Sequence, residues 1–153
     1  MSVSASPRQV VEALMHGISN GAWGNLHTWY ADNAVVEYPF ALPAPMRLEG
    51  IQAIKKYFAA AATSPLKLQL RNMVVHETSD PEVVVAEWDY DGQVTTTGRS
   101  FQVSNIQVSR IQGGKIVLSR DYHNHVVLAD AMGRLAPLLA RLSDGAKPGP
   151  DRL

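Results

Sequence analysis

Along the first third of the chain, apolar positions repeat at three and four residues, the period of a helix face. Ser6-Pro7-Arg8-Gln9 opens the first such run. Ser6 is placed to cap free amides, Pro7 is tolerated at the first helical position, and Gln9 completes a capping box. Val10, Leu14 and Ile18, flanked by Val11 and Met15, form the buried stripe, and Asn20-Gly21 ends it. A shorter helix is predicted over Gly24 to Ala31, where Leu26, Trp29 and Tyr30 share a face; His27 lies off it, on the solvated side. Asp32-Asn33 breaks this helix, and Ala34 to Tyr38 is a short β-rich run cut off by Pro39. The following Phe40-Ala41-Leu42-Pro43-Ala44-Pro45-Met46 is apolar and stiffened by prolines, a composition that suits a pocket mouth or an oligomer contact. Gly50 to Ala62 is a third helix, with Ile51, Ile54, Phe58 and Ala61 on one side, and it stops before Ser64-Pro65.

Beyond Pro65 the period changes to two, as Leu66, Leu68 and Leu70 alternate with Lys67, Gln69 and Arg71. Turns are predicted at Ser79-Asp80-Pro81 and Asp91-Gly92, with a strand over Val83 to Tyr90 between them. Thr95 to Gly98 reads as a connection and Ser100 to Ile111 as a long strand. Gly113-Gly114 then predicts a tight hairpin, because both residues take positive φ without strain, and Lys115 to His123 is the returning strand. Asn124 caps a final short helix through Met132. Gly133 and Pro137 mark a break before Leu138 to Leu142. Three N-terminal helices followed by a meander of long antiparallel strands predict an α+β fold, with the helices packed on one face of a curved sheet. One domain is expected over 1–142. The turn-rich residues 143–153 are expected to form a flexible tail.

Composition narrows the partners. The 153 residues carry 14 Lys plus Arg against 14 Asp plus Glu, so no net field favours nucleic acid or an anionic membrane. A small neutral molecule or another protein is the expected partner. The absence of cysteine excludes a disulfide framework, a thiol nucleophile and a zinc-thiolate site. No signal-like segment opens the chain and no apolar run reaches membrane-spanning length, which makes a cytoplasmic location the expectation.

The densest group of ionisable side chains follows the Gly-Gly hairpin. In a strand of period two, Val117, Ser119, Asp121 and His123 share one face, and Ile116, Leu118, Arg120 and Tyr122 the other. If the first set lines a cavity, Asp121 projects from an apolar wall, where desolvation raises its pKa and lets one carboxyl both give and take a proton near neutral pH. The plainer alternative pairs Asp121 with Arg120 or Arg110 on the surface. His123 and His125 alternate as metal ligands can, and Glu87, Asp89, His76 and Asp91 could converge on them. No third ligand stands at a diagnostic spacing, so no metal is expected and His123 is read as a hydrogen-bond partner of substrate or of Asp121. On β-type alternation Trp88 and Tyr90 are buried and Glu87 and Asp89 exposed. Asn105 and Gln107, on the Phe101-Val103 face, need partners that a ligand could supply. Tyr38, Phe40 and Trp29 are further candidate ligand contacts.

Tyr30-Ala31-Asp32-Asn33-Ala34-Val35-Val36-Glu37-Tyr38-Pro39, then Leu48-Glu49-Gly50-Ile51-Gln52-Ala53-Ile54, then Gly114-Lys115-Ile116 leading to Arg120-Asp121-Tyr122, resemble the SnoaL-like branch of the nuclear transport factor two-like superfamily. The resemblance spans roughly Val10 to Leu135. It implies a cone-shaped barrel around an apolar cavity, dimerisation through the sheet and no cofactor. Ketosteroid isomerase would place its base at Tyr38 and its oxyanion-hole acid near Gln107, which neither residue can replace. Limonene epoxide hydrolase would place an activating arginine and aspartate near Glu87 and Asp89, and the arginine is missing. It does match Asp121, as do the acid/base positions of phenazine A/B proteins and SnoaL-type cyclases. The same comparison turns Glu87 toward the cavity, against the alternation.

The resemblance thus implies a cofactor-independent acid/base enzyme of isomerase, cyclase, dehydratase or hydrolase type, acting on a small apolar molecule through Asp121 and His123. The rival is a non-catalytic ligand-binding or dimeric assembly module with the same cavity. A purely structural dimerisation domain would fill that cavity with Trp29, Phe40 and Phe101.

Overall fold

The computed structural model describes residues 3–145. Its elements run α1 (Pro7–Ser19), a 3-10 turn (Leu26–Trp29), β1 (Tyr30–Tyr38), β2 (Met46–Glu49), α2 (Gly50–Ala62), β3 (Leu66–Glu77), β4 (Val83–Val94), β5 (Ser100–Gln112), β6 (Lys115–His123), α3 (His125–Ala131) and α4 (Leu135–Gly145). The strands form one open sheet in the order β2-β1-β6-β5-β4-β3, antiparallel throughout except where β1 runs parallel to β6. The fold is therefore α+β as expected, but the sheet is not a closed barrel. A single α-helix, and not three, precedes it. Two helices follow it in place of one, and α4 carries the chain through the first residues of the expected tail. Residues 146–153 of that tail lie outside the described residues.

Local chemistry accounts for most element boundaries. Ser6 Oγ accepts from the Gln9 amide at 3.3 Å while Gln9 Oε1 accepts from the Ser6 amide at 2.9 Å, the reciprocal cap expected for α1. Val10, Val11, Leu14 and Met15 are fully buried, and α1 packs on β3, β4 and β5. Gly113 and Gly114 take φ of 55° and 75°, and Gln112 pairs with Lys115 across the hairpin. Asn124 Oδ1 accepts from the Val127 amide at 3.2 Å and starts α3.

Four expectations change. The helix over 24–31 reduces to one 3-10 turn, because Tyr30 is already paired with Ile116 in the sheet. Part of the apolar loop becomes β2, which pairs Met46 with Tyr38 and Glu49 with Val35. Asp91-Gly92 is no turn: β4 continues to Val94, and Gly92 sits opposite Phe101. A Cβ at Gly92 would lie 2.2 Å from the Phe101 ring, so this glycine is where an aromatic side chain covers bare backbone. Pro137 lies in the first turn of α4, where its missing amide is harmless, and so does not separate two segments. Among the described residues no helix is long and apolar enough to cross a membrane.

Candidate functional site

Three rows of inward side chains cross β4, β5 and β6. Register sets Val84 opposite Ser109 opposite Ser119, Ala86 opposite Gln107 opposite Asp121, and Trp88 opposite Asn105 opposite His123. All but His123, which is partly buried, are buried. β1 lies beside β6 and delivers Tyr38 to the same area, its ring 5.8 Å from His123. Together with α1 and α2 the second and third rows enclose a cavity of about 300 Å³, lined on its polar side by Asn105, Gln107, Asp121 and His123. That volume is at the low end of pockets that hold small molecules.

One correction concerns how β6 gets there. Ile111 pairs with Ile116 but Arg110 with Leu118, so Val117 is an extra residue in a bulge. Ile116, not Val117, is therefore buried at the hairpin end of the strand, while Ser119, Asp121 and His123 keep the face expected for them.

Asp121 makes its side-chain hydrogen bond to Ser119, whose hydroxyl donates to Oδ1. Behind them Gln107 Nε2 donates to Ser109 Oγ at 2.8 Å. Burial lifts the Asp121 pKa from its ordinary 3.8 to about 7, and the Ser119 hydrogen bond pulls against that rise. The surface-pairing alternative is excluded. Arg120 Nε donates to Glu37 Oε2 at 3.2 Å, and Arg110 donates to Glu82 and Asp80 at 2.8 and 2.9 Å.

Four tyrosines, Tyr30, Tyr38, Tyr57 and Tyr90, surround this carboxyl. Burial raises the pKa of each, and the Asp121 charge adds to the rise in each case. They stay protonated near neutrality and serve as neutral hydrogen-bond donors. Burial pushes His123 down to about 4, with His125 contributing second, and burial also lowers His125, so both imidazoles are neutral at pH 7. No three His, Cys, Asp or Glu side chains among the described residues come together as a metal site.

The remaining candidates separate. Tyr38, Asn105 and Gln107 line the cavity. Glu87 does not: the strict alternation of β4 buries Trp88 and turns Glu87 outward, where its Oε2 lies 2.6 Å from His76 Nε2. Phe40 is 64 % exposed, because the Ala41 amide bonds back to the Tyr38 carbonyl and puts Phe40 at the tip of a turn, against Tyr122. Trp29 packs on the core from the 3-10 turn and lies outside the cavity lining. Trp23 lines the cavity instead, its ring 6.4 Å from Phe58. Sequence reading missed Ser119 as a partner of the acid, although its position two residues away on the same face was the signal. It also missed Tyr30, Tyr57 and Tyr90 as a group, since they come from three separate elements.

A family model described as a SnoaL-like domain matches residues 11–119. An uncharacterized Bacillus subtilis protein, YesE, is 36% identical over 106 residues, covering 67% of this chain and 70% of its own. An uncharacterized PhzA/B-like protein of Pseudomonas aeruginosa is 30% identical over 128 residues, covering 80% of this chain and 89% of its own. A solved Bacillus subtilis structure, provisionally designated an isomerase, superposes with a TM-score of 0.76 at 30% identity, covering 82% of this chain and 91% of that one. More distant solved chains with ketosteroid isomerase-like and NTF2-like names share the fold alone.

Proposed function

Because this chain belongs to the SnoaL-like domain family of the nuclear transport factor two-like superfamily, we propose that it is an acid/base enzyme that moves a proton within a small, largely apolar molecule held in the inner cavity. The observation that carries this reading is Asp121: a carboxyl buried in a ligand-sized cavity, anchored by one hydroxyl, with its pKa near 7. Near neutral pH such a group is present in both forms, so it takes a proton from one atom of a ligand and returns it to another. The tyrosine hydroxyls and neutral His123 are donors that stabilise oxygen charge developing elsewhere on the ligand. The isomerase designation of the Bacillus subtilis structure agrees with an intramolecular proton transfer. Tyr38 and Gln107 at the positions of the steroid-isomerase acids, and a cavity of only about 300 Å³, argue against a steroid substrate.

Native mass spectrometry of ligands carried through purification supplies the compound. The test is then turnover by Asp121→Asn. Loss of about 10²- to 10⁴-fold is expected for removing a general acid/base, together with loss of a rate-controlling ionisation near pH 7. Full turnover in that variant would leave a binding module. A homodimer belongs to the same reading, supported by Val74 and Ile106, which expose apolar side chains on the outer face of β3 and β5.

A further inference from the structure

Three buried side-chain nitrogens make no hydrogen bond within the described residues: Trp88 Nε1, His123 Nε2 and His125 Nε2. Buried polar atoms in folded proteins are nearly always partnered, and an unmet one is costly, so three orphans in one place call for an explanation. They are not scattered. The Trp88 and His123 rings lie 6.0 Å apart and the His123 and His125 rings 6.1 Å apart. Trp88 is 2% exposed, its ring 6.0 Å from that of Tyr90, whose hydroxyl donates to Met15 Sδ at 3.9 Å. Trp88 and His123 line the inner cavity, and both also line, with His125, an outer groove of about 670 Å³.

We propose that Trp88, His123 and His125 form a subsite for a neutral carbonyl oxygen of the ligand. This rests on the reading that the cavity holds a small organic molecule, and it names what that molecule carries. The indole N–H is a donor only, and a neutral imidazole protonated on Nε2 presents one N–H there, so in that tautomer the cluster seeks an acceptor. Burial keeps both imidazoles uncharged, and no fixed positive charge belongs to the cluster. Asp121 lies two residues before His123 on the same wall. A ligand carboxylate placed there would bring like charge to a desolvated site, whereas a carbonyl oxygen accepts two or three hydrogen bonds and brings none. Side chains two residues apart on a strand are about 6.6 Å apart. The carbonyl oxygen and the carbon that exchanges its proton with Asp121 thus lie on one short ligand.

The test reads binding and not turnover, with three matched bicyclic probes: 2-acetylnaphthalene, the hydrocarbon 2-isopropenylnaphthalene and 2-naphthoate. In the wild-type protein the ketone is expected to bind about tenfold or more tightly than the hydrocarbon. The ketone, and not the hydrocarbon, is expected to move the Trp88 indole N–H resonance in a ¹H–¹⁵N spectrum, assigned with Trp23→Phe and Trp29→Phe variants. In Trp88→Phe or His123→Phe the ketone advantage shrinks. Equal affinity of ketone and hydrocarbon, or an unmoved Trp88 resonance on ketone binding, overturns the subsite and leaves the cavity reading intact. Tighter binding of 2-naphthoate overturns the neutral oxygen. Failure of all three probes to bind overturns the cavity reading, and the subsite with it.

Discussion

Replacing Asp121 with Asn removes one ionisation at nearly constant shape, and the resulting change in stability with pH is set by two groups that oppose each other. Asp121 has a folded pKa of about 7, against about 3.9 unfolded. Below pH 4 it is protonated in both states. As pH rises the unfolded chain ionises first, so stability is lost up to about pH 7, by roughly 4 kcal/mol at 1.36 kcal/mol per unit. His123 works the other way, with a folded pKa of about 4 against about 6.5 unfolded. Above pH 6.5 it is neutral in both states. As pH falls the unfolded chain takes up a proton that the folded chain resists, so about 3 kcal/mol is lost toward pH 4. These two contributions therefore nearly cancel between pH 4.5 and 7, which leaves His125, whose pKa burial also lowers, to favour the upper end. Over that range Asp121→Asn should gain about 2 kcal/mol, and His123→Gln should lose about 3. The exposed carboxylates Asp80, Glu82, Asp89 and Asp91 have lowered pKa values. They act mainly below this window and cancel in the comparison of variants. Urea unfolding at half-unit pH steps, followed by tryptophan fluorescence, measures the three curves. Parallel curves for wild type and Asp121→Asn would show that the carboxyl is not desolvated in the fold, and the acid/base argument would fall with it.

Ser119→Ala removes the only side-chain hydrogen bond to the acid among the described residues while leaving a buried methyl in its place. A hydrogen bond to a charged group contributes about 1.5–3 kcal/mol, so the Asp121 pKa should rise further, by about one to two units. A ¹³C titration of the aspartate carboxyls reads this directly, and an unmoved midpoint would dismiss Ser119 as a positioning residue. On the outer face, Ile106→Glu places a charge on an exposed apolar site in the same cross-strand row as Val74, with Glu87 between them. Light scattering should show a homodimer for the wild type and a monomer for the variant, and an unchanged mass would locate any dimer elsewhere.

The sequence exposed the fold well where local chemistry decides. The α1 cap, the Gly113-Gly114 hairpin and the alternation in β5 are written in adjacent residues, and the structure follows them. It was least legible where distant pairing overrides a local pattern. Tyr30 continues a helical repeat, yet β6 claims it as a strand residue. Asp91-Gly92 carries a turn signal, yet Phe101 across the ladder covers the glycine and the strand runs on. The site divides the same way. Period two put Asp121 with His123, and Asn105 with Gln107, on shared faces, and the resemblance turned Asp121 toward the cavity. The enclosing tyrosines come from β1, α2 and β4 and meet only through tertiary packing. For Glu87 the alternation of its own strand was the better guide, since the resemblance turned it inward and the fold turns it out.

The bulge at Val117 explains how one strand serves both core and site. Ile116 and Ser119 are each 0% exposed, yet they stand three residues apart, and a regular strand would send them to opposite faces. An uninterrupted β6 would leave two arrangements. Either Ile116 stays under the helices, and Asp121 turns outward to the surface arginines, or Asp121 faces the cavity, and the hairpin end loses its buried isoleucine. One extra residue resolves the conflict, because it shifts the phase between the two ends of the strand. The hairpin half then packs Ile116 into the main core, beneath the sheet position it shares with Tyr30. The distal half keeps Ser119, Asp121 and His123 on the inner face as an unbroken alternation and carries Asp121 and His123 into the cavity. Across the row from Asp121 stand Gln107 on β5, whose amide nitrogen donates to Ser109, and Ala86 on β4, and neither brings a charge. With a single hydroxyl as its side-chain partner among the described residues and no charge across the row, the acid keeps a pKa near neutrality. That pKa is thus a property of strand phase as much as of the aspartate itself.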